Sequence, residues 1–217
     1  MKTNHIVSGL ERSGTSLMMQ ILEESNVPVS YDNSRLPDEH NPKGYYELHS
    51  GKIIKEIESL SFDFDRYSNS YIKVTCFGLL NLPKNRKYKV IYMVRNIDEV
   101  VESSKRMMSE IARKKLGNKI KTPLAKLNNH VLEYMDSDDR FTYTIINYNN
   151  LINNPEEELK KLKEFENRID IEKSIRVINP ELYRCRKDSR DNEDKKYQLT
   201  DKEKEVIKGR LKELGYL

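Results

Sequence analysis

The chain has 217 residues, 34% charged and 36% hydrophobic, so it can bury a core and is too apolar for a disordered chain. Its net charge of +4 permits an anionic ligand but argues against nucleic acid as a partner, which would require a denser basic face. The two cysteines, Cys76 and Cys185, lie far apart without metal-type spacing, which argues against a disulfide framework.

The N-terminus leads directly into an apolar run, and no apolar run approaches the length of a membrane span. We therefore expect a soluble, cytoplasmic protein without stable membrane insertion. No internal repeat or clear linker divides the chain, so residues 1–217 are expected to form one domain. The sequence leaves the oligomeric state open.

Four apolar runs rich in Ile, Val and Tyr predict buried strands of a parallel sheet. These are His5–Ser8, Tyr71–Cys76, Lys89–Val94 and Phe141–Tyr148. Apolar residues at helical spacing between and after them predict six helices. These are Thr15–Asn26, Leu48–Leu60, Asp98–Leu116, Pro123–Met135, Pro155–Phe165 and Thr200 to about Leu214. The alternation predicts an α/β fold, a three-layer sandwich with a central, mostly parallel sheet flanked by helices.

The segment Gly9–Ser16, GLERSGTS, joins the first strand to the first helix. A glycine-bounded turn at this point aims backbone N–H groups and a helix N-terminus at one spot, which suits a phosphate group. The spacing of its glycines is that of an ATP-binding P-loop, but the Lys that should follow the second glycine is absent. The loop's own cation is Arg12. We expect a phosphate-like group to be held by Arg12, Ser13, Gly14, Thr15 and Ser16.

A second candidate anion site follows the strand Lys89–Val94, where Arg95 precedes a helix that carries Ser103. Both side chains can donate hydrogen bonds to a phosphate. An ATPase would more often have a carboxylate here for Mg²⁺, so a second anion is expected rather than a metal. Each residue alone also has a purely structural interpretation: Arg95 could form an ion pair, and Ser103 could face solvent. Because ligands of α/β sheets bind along the carboxyl edge, the two segments together predict a nucleoside with an anionic group at each end.

These segments resemble motifs of the sulfotransferases that use 3′-phosphoadenosine 5′-phosphosulfate (PAPS). Residues 9–17 resemble the family's 5′-phosphosulfate loop, R/K-S-G-T-S/T, and residues 95–103 its 3′-phosphate motif, R-N-P-x-D-x-x-x-S, with Ile97 in place of Pro. Residues 41–47, NPKGYYE, are similar to the N-P-x-G-Y-x-E segment of many bacterial-type members. Residues 148–165 resemble their Y-x-x-L…P…L-x-x-L-x-x-F segment.

The resemblance implies a P-loop-like fold and transfer of a sulfuryl group from PAPS to a hydroxyl or amine, leaving adenosine 3′,5′-bisphosphate. The acceptor would be a small molecule, a carbohydrate or a lipid, and no metal is expected. Arg12 would act as an electrostatic clamp on the leaving phosphate, and Lys73 would either steady the transferring group or be a surface lysine.

The catalytic base is not marked by a motif. Many family members place a His after the second strand, in a K-T-H-like context, and residues 72–76, IKVTC, contain none. Glu47 is the first candidate because it ends the N-P-x-G-Y-x-E segment and other branches use a Glu. His49 is the second and His40 the third, since His is the commonest general base. Glu47 as a helix cap and His49 as a surface residue are the structural alternatives.

Two further features concern the nucleotide. Tyr148 ends the last predicted strand and is expected either to contact the adenine or to be a core tyrosine. Arg186 and Lys187 resemble the start of the family's R-K-G loop over the 3′-phosphate, with Asp188 in place of the Gly. The charged stretch 184–196 is expected to be a mobile loop, or a lid that orders when nucleotide binds.

Two other functions share these features. A P-loop nucleotide or small-molecule kinase has the same strand, loop and helix at its start, but would require the missing Lys and a carboxylate for Mg²⁺. A non-catalytic nucleotide-binding protein of the same fold is the other alternative, kept open by the missing His.

Overall fold

The computed structural model describes residues 2–185 and 200–213, and a four-stranded parallel sheet forms its centre. The strands are β1 (Thr3–Gly9), β2 (Tyr71–Lys73), β3 (Lys87–Val94) and β4 (Phe141–Asn147). Their order is β2-β1-β3-β4, and every neighbouring pair is parallel. All four strands therefore end at the same edge of the sheet, with the predicted anion-binding segments directly after β1 and β3.

Helices cover both faces of the sheet. They are α1 (Thr15–Glu24), α2 (Ile53–Glu58), α3 (Cys76–Leu79), α4 (Ile97–Met107), α5 (Glu110–Leu116), α6 (Lys121–Asp136), α7 (Tyr148–Asn153), α8 (Pro155–Phe165), α9 (Ile171–Val177) and α10 (Asp201–Glu213). Short 3₁₀ turns lie at His49–Gly51, Gly117–Ile120 and Pro180–Leu182. Within the described residues, none of these helices is long and apolar enough to cross a bilayer.

Alternate residues of the strands enter two separate cores, one on each face of the sheet. Ile6 and Val90 pack with apolar residues of α2, α3, α4, α6 and α10. Val7 and Ile91, their immediate neighbours, pack on the other face with α1, α7, α8 and α9. The alternation follows from the two-residue period of a strand. The predicted three-layer α/β fold with a parallel sheet is thereby confirmed.

Three predicted elements differ from the structure because the local backbone interrupts the apolar pattern. Strand β2 is only three residues long, since the chain turns into α3 from Thr75 onward. The predicted helix Asp98–Leu116 is two helices: Met108 is extended, and the Ser109 hydroxyl accepts a hydrogen bond from the Ala112 N–H, which starts α5. The predicted helix Leu48–Leu60 is a 3₁₀ turn followed by α2, because Ser50 has a φ of 56°.

The last helix begins as predicted. Thr200 and Glu203 form a reciprocal capping box: the Thr200 N–H donates to the Glu203 carboxylate, and the Glu203 N–H donates to the Thr200 hydroxyl. The end of this helix at Leu214, with Gly215 after it, lies outside the described residues.

Candidate functional site

A cavity that is partly open to solvent lies at the carboxyl edge of the sheet. Segments that follow β1, β3 and β4 line it together with the last residue of β2. The predicted site residues on its wall are Arg12, Gly14, Thr15, Ser16, Lys73, Arg95, Ser103 and Tyr148. The parallel topology thus brings together side chains from four distant parts of the sequence.

The loop after β1 depends on unusual backbone conformations. Arg12 has a φ of 72° and Gly14 a φ of 100°, both in the left-handed region. The Ser13 N–H donates to the Leu10 carbonyl at 3.1 Å and closes the turn. Two features require glycine at position 14. Its φ lies in the left-handed region, and a Cβ at this position would overlap the ring of Tyr148. Ser13 is buried beneath the loop and does not line the cavity.

Gly14→Ala is therefore expected to destabilise the protein by about 2–4 kcal/mol, the sum of left-handed strain and overlap with Tyr148. Gly209→Ala is the matched control, because a Cβ there meets no atom within 4 Å and Ala favours the helix. Thermal unfolding of both variants checks the prediction. A Gly14→Ala protein as stable as the wild type would show that the ring of Tyr148 does not hold the loop.

The two predicted anion-binding segments contact each other directly. Nε of Arg12 donates to Oγ of Ser103 at 3.0 Å, and Nη1 of Arg95 donates to the Arg12 carbonyl oxygen at 3.0 Å. Nη2 of Arg12 also donates to the His40 carbonyl at 2.9 Å. Arg12, a member of the first segment, therefore contacts the second segment through both its side chain and its carbonyl oxygen.

Arg95 is held in place by its surroundings on three sides. Its Nε lies 2.9 Å from a carboxylate oxygen of Glu99, one turn later on α4. Its guanidinium lies 4.4 Å from the ring centroid of Tyr148 and 5.4 Å from that of Tyr183, within cation–π distance of both rings. Burial raises the pKa of Tyr148. Tyr148 thus packs between the loop glycine and Arg95, where its ring edge reaches the cavity.

Sequence reasoning missed Glu99, which is fully buried and also accepts hydrogen bonds from Asn149 at 3.1 Å and Tyr183 at 2.6 Å. The signal for it was present, because Glu99 occupies the acidic fifth place of the motif R-N-P-x-D-x-x-x-S. The Asn96 side chain in that motif accepts hydrogen bonds from the N–H groups of Asp98 and Glu99, and so caps α4.

The segment 41–47 packs against the loop through polar contacts. Asn41 donates to Oγ of Ser16 at 3.0 Å, and that hydroxyl donates to the Tyr45 carbonyl at 3.1 Å. The Tyr45 hydroxyl in turn donates to the Asp38 carboxylate at 2.8 Å. These contacts join Ser16 to Asn41 and Tyr45, and all three residues line the cavity.

A buried ion pair lies next to this segment. Nζ of Lys73 is 2.9 Å from one carboxylate oxygen of Glu47, while Arg35 contacts the other at 3.1 Å. Both Lys73 and Glu47 are 3% exposed at their side chains. Burial lowers the pKa of Lys73, and the neighbouring Glu47 opposes that shift. Nζ of Lys73 also donates to Oγ of Ser16 at 3.2 Å, at the cavity wall.

The three candidate bases occupy different places. Glu47 lies behind Lys73 and is not among the lining residues. His49 does not line the cavity either, since its Nδ1 is hydrogen-bonded to Glu56 at 2.6 Å. His40 lines the cavity beside Arg12. Of these three residues, His40 alone lines the cavity.

The cavity wall is strongly cationic. Among the described residues, its charged lining side chains are all basic: Arg12, Lys43, Lys73, Arg95, Arg106 and Arg184. A wall of this composition suits a ligand with several negative charges. Arg186 and Lys187, and all but the first two residues of the stretch 184–196, lie outside the described residues. In the described part of the chain, no group of three or more His, Cys, Asp or Glu side chains is placed to hold a metal ion.

Comparison with known proteins bears on the whole chain. A family model described as "Sulfotransferase domain" matches residues 2–213. Among solved structures, a sulfotransferase domain from the curacin biosynthetic pathway aligns with a TM-score of 0.48 and 14% sequence identity, over 100% of this chain and 99% of that one. A search of curated proteins gave no match. Because the family model covers nearly all of its residues, the chain belongs to the sulfotransferase domain family.

Proposed function

We propose that this protein transfers a sulfuryl group from PAPS to a hydroxyl or amine of a small-molecule, carbohydrate or lipid acceptor. The observation that carries the proposal is the convergence of Arg12–Ser16, Arg95 and Ser103 on one cavity at the carboxyl edge of the sheet. A nucleotide with a phosphate at each end of its ribose fits a wall whose charged lining side chains, in the part of the chain described, are basic.

The residues present fit this nucleotide in charge and in their hydrogen-bond donors. Arg95 and Ser103 would hold its 3′-phosphate, and the loop from Arg12 to Ser16 its 5′-phosphosulfate. Arg12 and Ser103 share a hydrogen bond at 3.0 Å. When both phosphates are bound, each side chain would form hydrogen bonds to phosphate oxygens in its place. PAPS supplies the sulfuryl group when bound and leaves as adenosine 3′,5′-bisphosphate.

The loop and the buried lysine provide the charge stabilisation. Sulfuryl transfer resembles phosphoryl transfer, in which negative charge grows on the leaving oxygen and positioned donors lower the barrier. Arg12 and the backbone N–H groups of the loop are proposed to donate to that oxygen. Lys73 donates a hydrogen bond to Ser16 at the cavity wall, and we propose that it stabilises the transferring group. Glu47, which Arg35 also contacts, holds Lys73 in position.

The position of His40 favours it as the general base, and the proposal for this role therefore moves from Glu47 to His40. His40 is a lining residue of the cavity next to Arg12, while both carboxylate oxygens of Glu47 are engaged by the cations Lys73 and Arg35. His40 would accept the proton of the attacking hydroxyl, a function that an imidazole performs well near neutral pH.

His40→Asn is expected to lower turnover by about 10²–10⁴-fold, the usual contribution of a general base, and to leave affinity for adenosine 3′,5′-bisphosphate within about twofold, since Asn keeps the backbone contact to Arg12. The measurement is the transfer rate to the best acceptor from a panel of phenols, alcohols and amines. Glu47→Gln is the comparison. If His40→Asn turns over normally and Glu47→Gln does not, the role of base returns to Glu47.

The proposed function is tested by calorimetric titration with adenosine 3′,5′-bisphosphate and with ATP, each with and without Mg²⁺. A PAPS-dependent enzyme is expected to bind the bisphosphate without Mg²⁺ and to prefer it to ATP. Preference for Mg-ATP would instead indicate a kinase. Bisphosphate binding without transfer to any acceptor in the panel would indicate a non-catalytic nucleotide-binding protein.

A further inference from the structure

A buried arginine of the last helix reaches the nucleotide loop from behind. Arg210 on α10 is 0% exposed. Its Nη1 forms an ion pair with the Glu11 carboxylate. Its Nη2 donates to the Glu11 carbonyl at 3.2 Å and to Oγ of Ser104 at 2.8 Å. Arg210 thus joins the loop after β1 to helix α4. Arg210 and Glu11 are 199 residues apart in the sequence.

The two residues that Arg210 holds are the direct neighbours of two predicted phosphate ligands. Glu11 precedes Arg12, and Ser104 follows Ser103. On the cavity side, Arg12 and Ser103 are themselves joined at 3.0 Å. We propose that Arg210 is a positioning residue that fixes the 5′-phosphosulfate loop against the 3′-phosphate helix, so that both grip one nucleotide. The inference rests on the proposed function.

The chemistry of the contact explains why an arginine is suited to it. A guanidinium has several donors in one rigid plane, so it can bind a carboxylate, a carbonyl and a hydroxyl at once. A lysine at this position would keep the charge but lose that fixed geometry. Two of the buried polar atoms, Oε1 of Glu11 and Nε of Arg210, have no hydrogen-bond partner within the described residues. A buried pair with atoms left unsatisfied is weak evidence for a purely stabilising role.

The test removes both charges together, because a single substitution would leave a buried charge unpaired and could unfold the protein. The variant combines Glu11→Gln with Arg210→Met. The control combines Lys89→Met with Glu166→Gln. These side chains also form an ion pair with a buried carboxylate, 3.1 Å apart, near the start of β3 and away from the cavity, and Glu166 keeps Arg168 and Tyr71 as neighbours. Arg210→Lys is a third variant that tests the geometry of the guanidinium separately from its charge.

Two measurements are made on each folded variant, with folding verified by circular dichroism and a thermal melt. Hydrogen exchange of residues 9–17 without nucleotide reports the order of the loop. Titration with adenosine 3′,5′-bisphosphate reports affinity. The double variant at Glu11 and Arg210 is expected to exchange about tenfold faster in this segment and to bind the bisphosphate about tenfold more weakly. The control pair is expected to change neither, even where its melting temperature falls, and Arg210→Lys to lie in between.

Each outcome has a distinct meaning. Unchanged exchange in the Glu11 and Arg210 variant would overturn the inference, and so would faster exchange combined with wild-type affinity. Equal losses of affinity in the variant and the control would show that lower stability alone weakens nucleotide binding. That result would also overturn the inference. If the wild-type protein does not bind the bisphosphate, the proposed function fails, and faster exchange of residues 9–17 in the variant alone would still support a positioning role for Arg210 in the loop.

Discussion

Arg95→Ala is expected to weaken binding of adenosine 3′,5′-bisphosphate by about a hundredfold. Each hydrogen bond from a charged donor contributes about 1.5–3 kcal/mol, and 1.4 kcal/mol corresponds to about tenfold in affinity. The substitution also removes the donor to the Arg12 carbonyl and one of the partners of the buried Glu99. Both the direct contact and the position of the loop are therefore affected. Calorimetric titration of the variant gives the affinity.

Two controls separate the loss of a ligand from a loss of fold. Arg140→Ala removes a comparable arginine just before β4, where it contacts Asp138 and the Pro83 carbonyl, and is expected to change stability without changing affinity. Arg95→Lys keeps the charge and should lose less affinity than Arg95→Ala. A folded Arg95→Ala protein that binds the bisphosphate as tightly as the wild type would remove Arg95 from the 3′-phosphate site.

Arg12→Ala is expected to lower the rate of sulfuryl release from PAPS by about 10²–10³-fold, the usual loss when one donor to a developing negative charge is removed. The reason is that Arg12 is the cation within the loop and lies at the junction of the two segments. The measurement is the slow hydrolysis of PAPS to sulfate and adenosine 3′,5′-bisphosphate in water, which requires no knowledge of the acceptor.

Arg12→Lys is the matched variant for this experiment. It keeps a cation in the loop, as in the family members whose loop carries Lys, and is expected to retain most of the rate. Arg12→Ala and Arg12→Lys proteins with equal hydrolysis rates would contradict an electrostatic role for this residue. Because Arg12 has a φ of 72°, both variants carry the same type of backbone strain, so strain does not account for a difference between their rates.

The sequence was sufficient to predict the fold class and the position of the cavity. Continuous apolar runs such as Lys89–Val94 indicate strands covered on both faces, and their alternation with helices leaves few possible topologies. Once the sheet is parallel, the segments after β1 and β3 must lie at the same edge, as the structure shows.

Side-chain partners were harder to predict because they depend on packing between distant segments. The pairing of Glu47 with Lys73 requires knowledge of how residues 41–47 lie against β2, which no local pattern gives. The same applies to Arg210, which appears in the sequence as one charge on a highly charged helix, but is fully buried against Glu11. Helix α9 was missed because its seven residues, IEKSIRV, are too short for a clear helical period.

We propose that the loop at Arg12–Ser16 binds one end of a nucleotide while Arg95 and Ser103 bind the other end. A crystal structure of the protein with adenosine 3′,5′-bisphosphate tests it most directly, because the two phosphorus atoms can be located independently. We expect the 5′-phosphate within hydrogen-bond distance of the loop N–H groups and the 3′-phosphate within that distance of Arg95 and Ser103. A bisphosphate bound with neither phosphate at Arg95, or with both phosphates on the loop, would contradict the account.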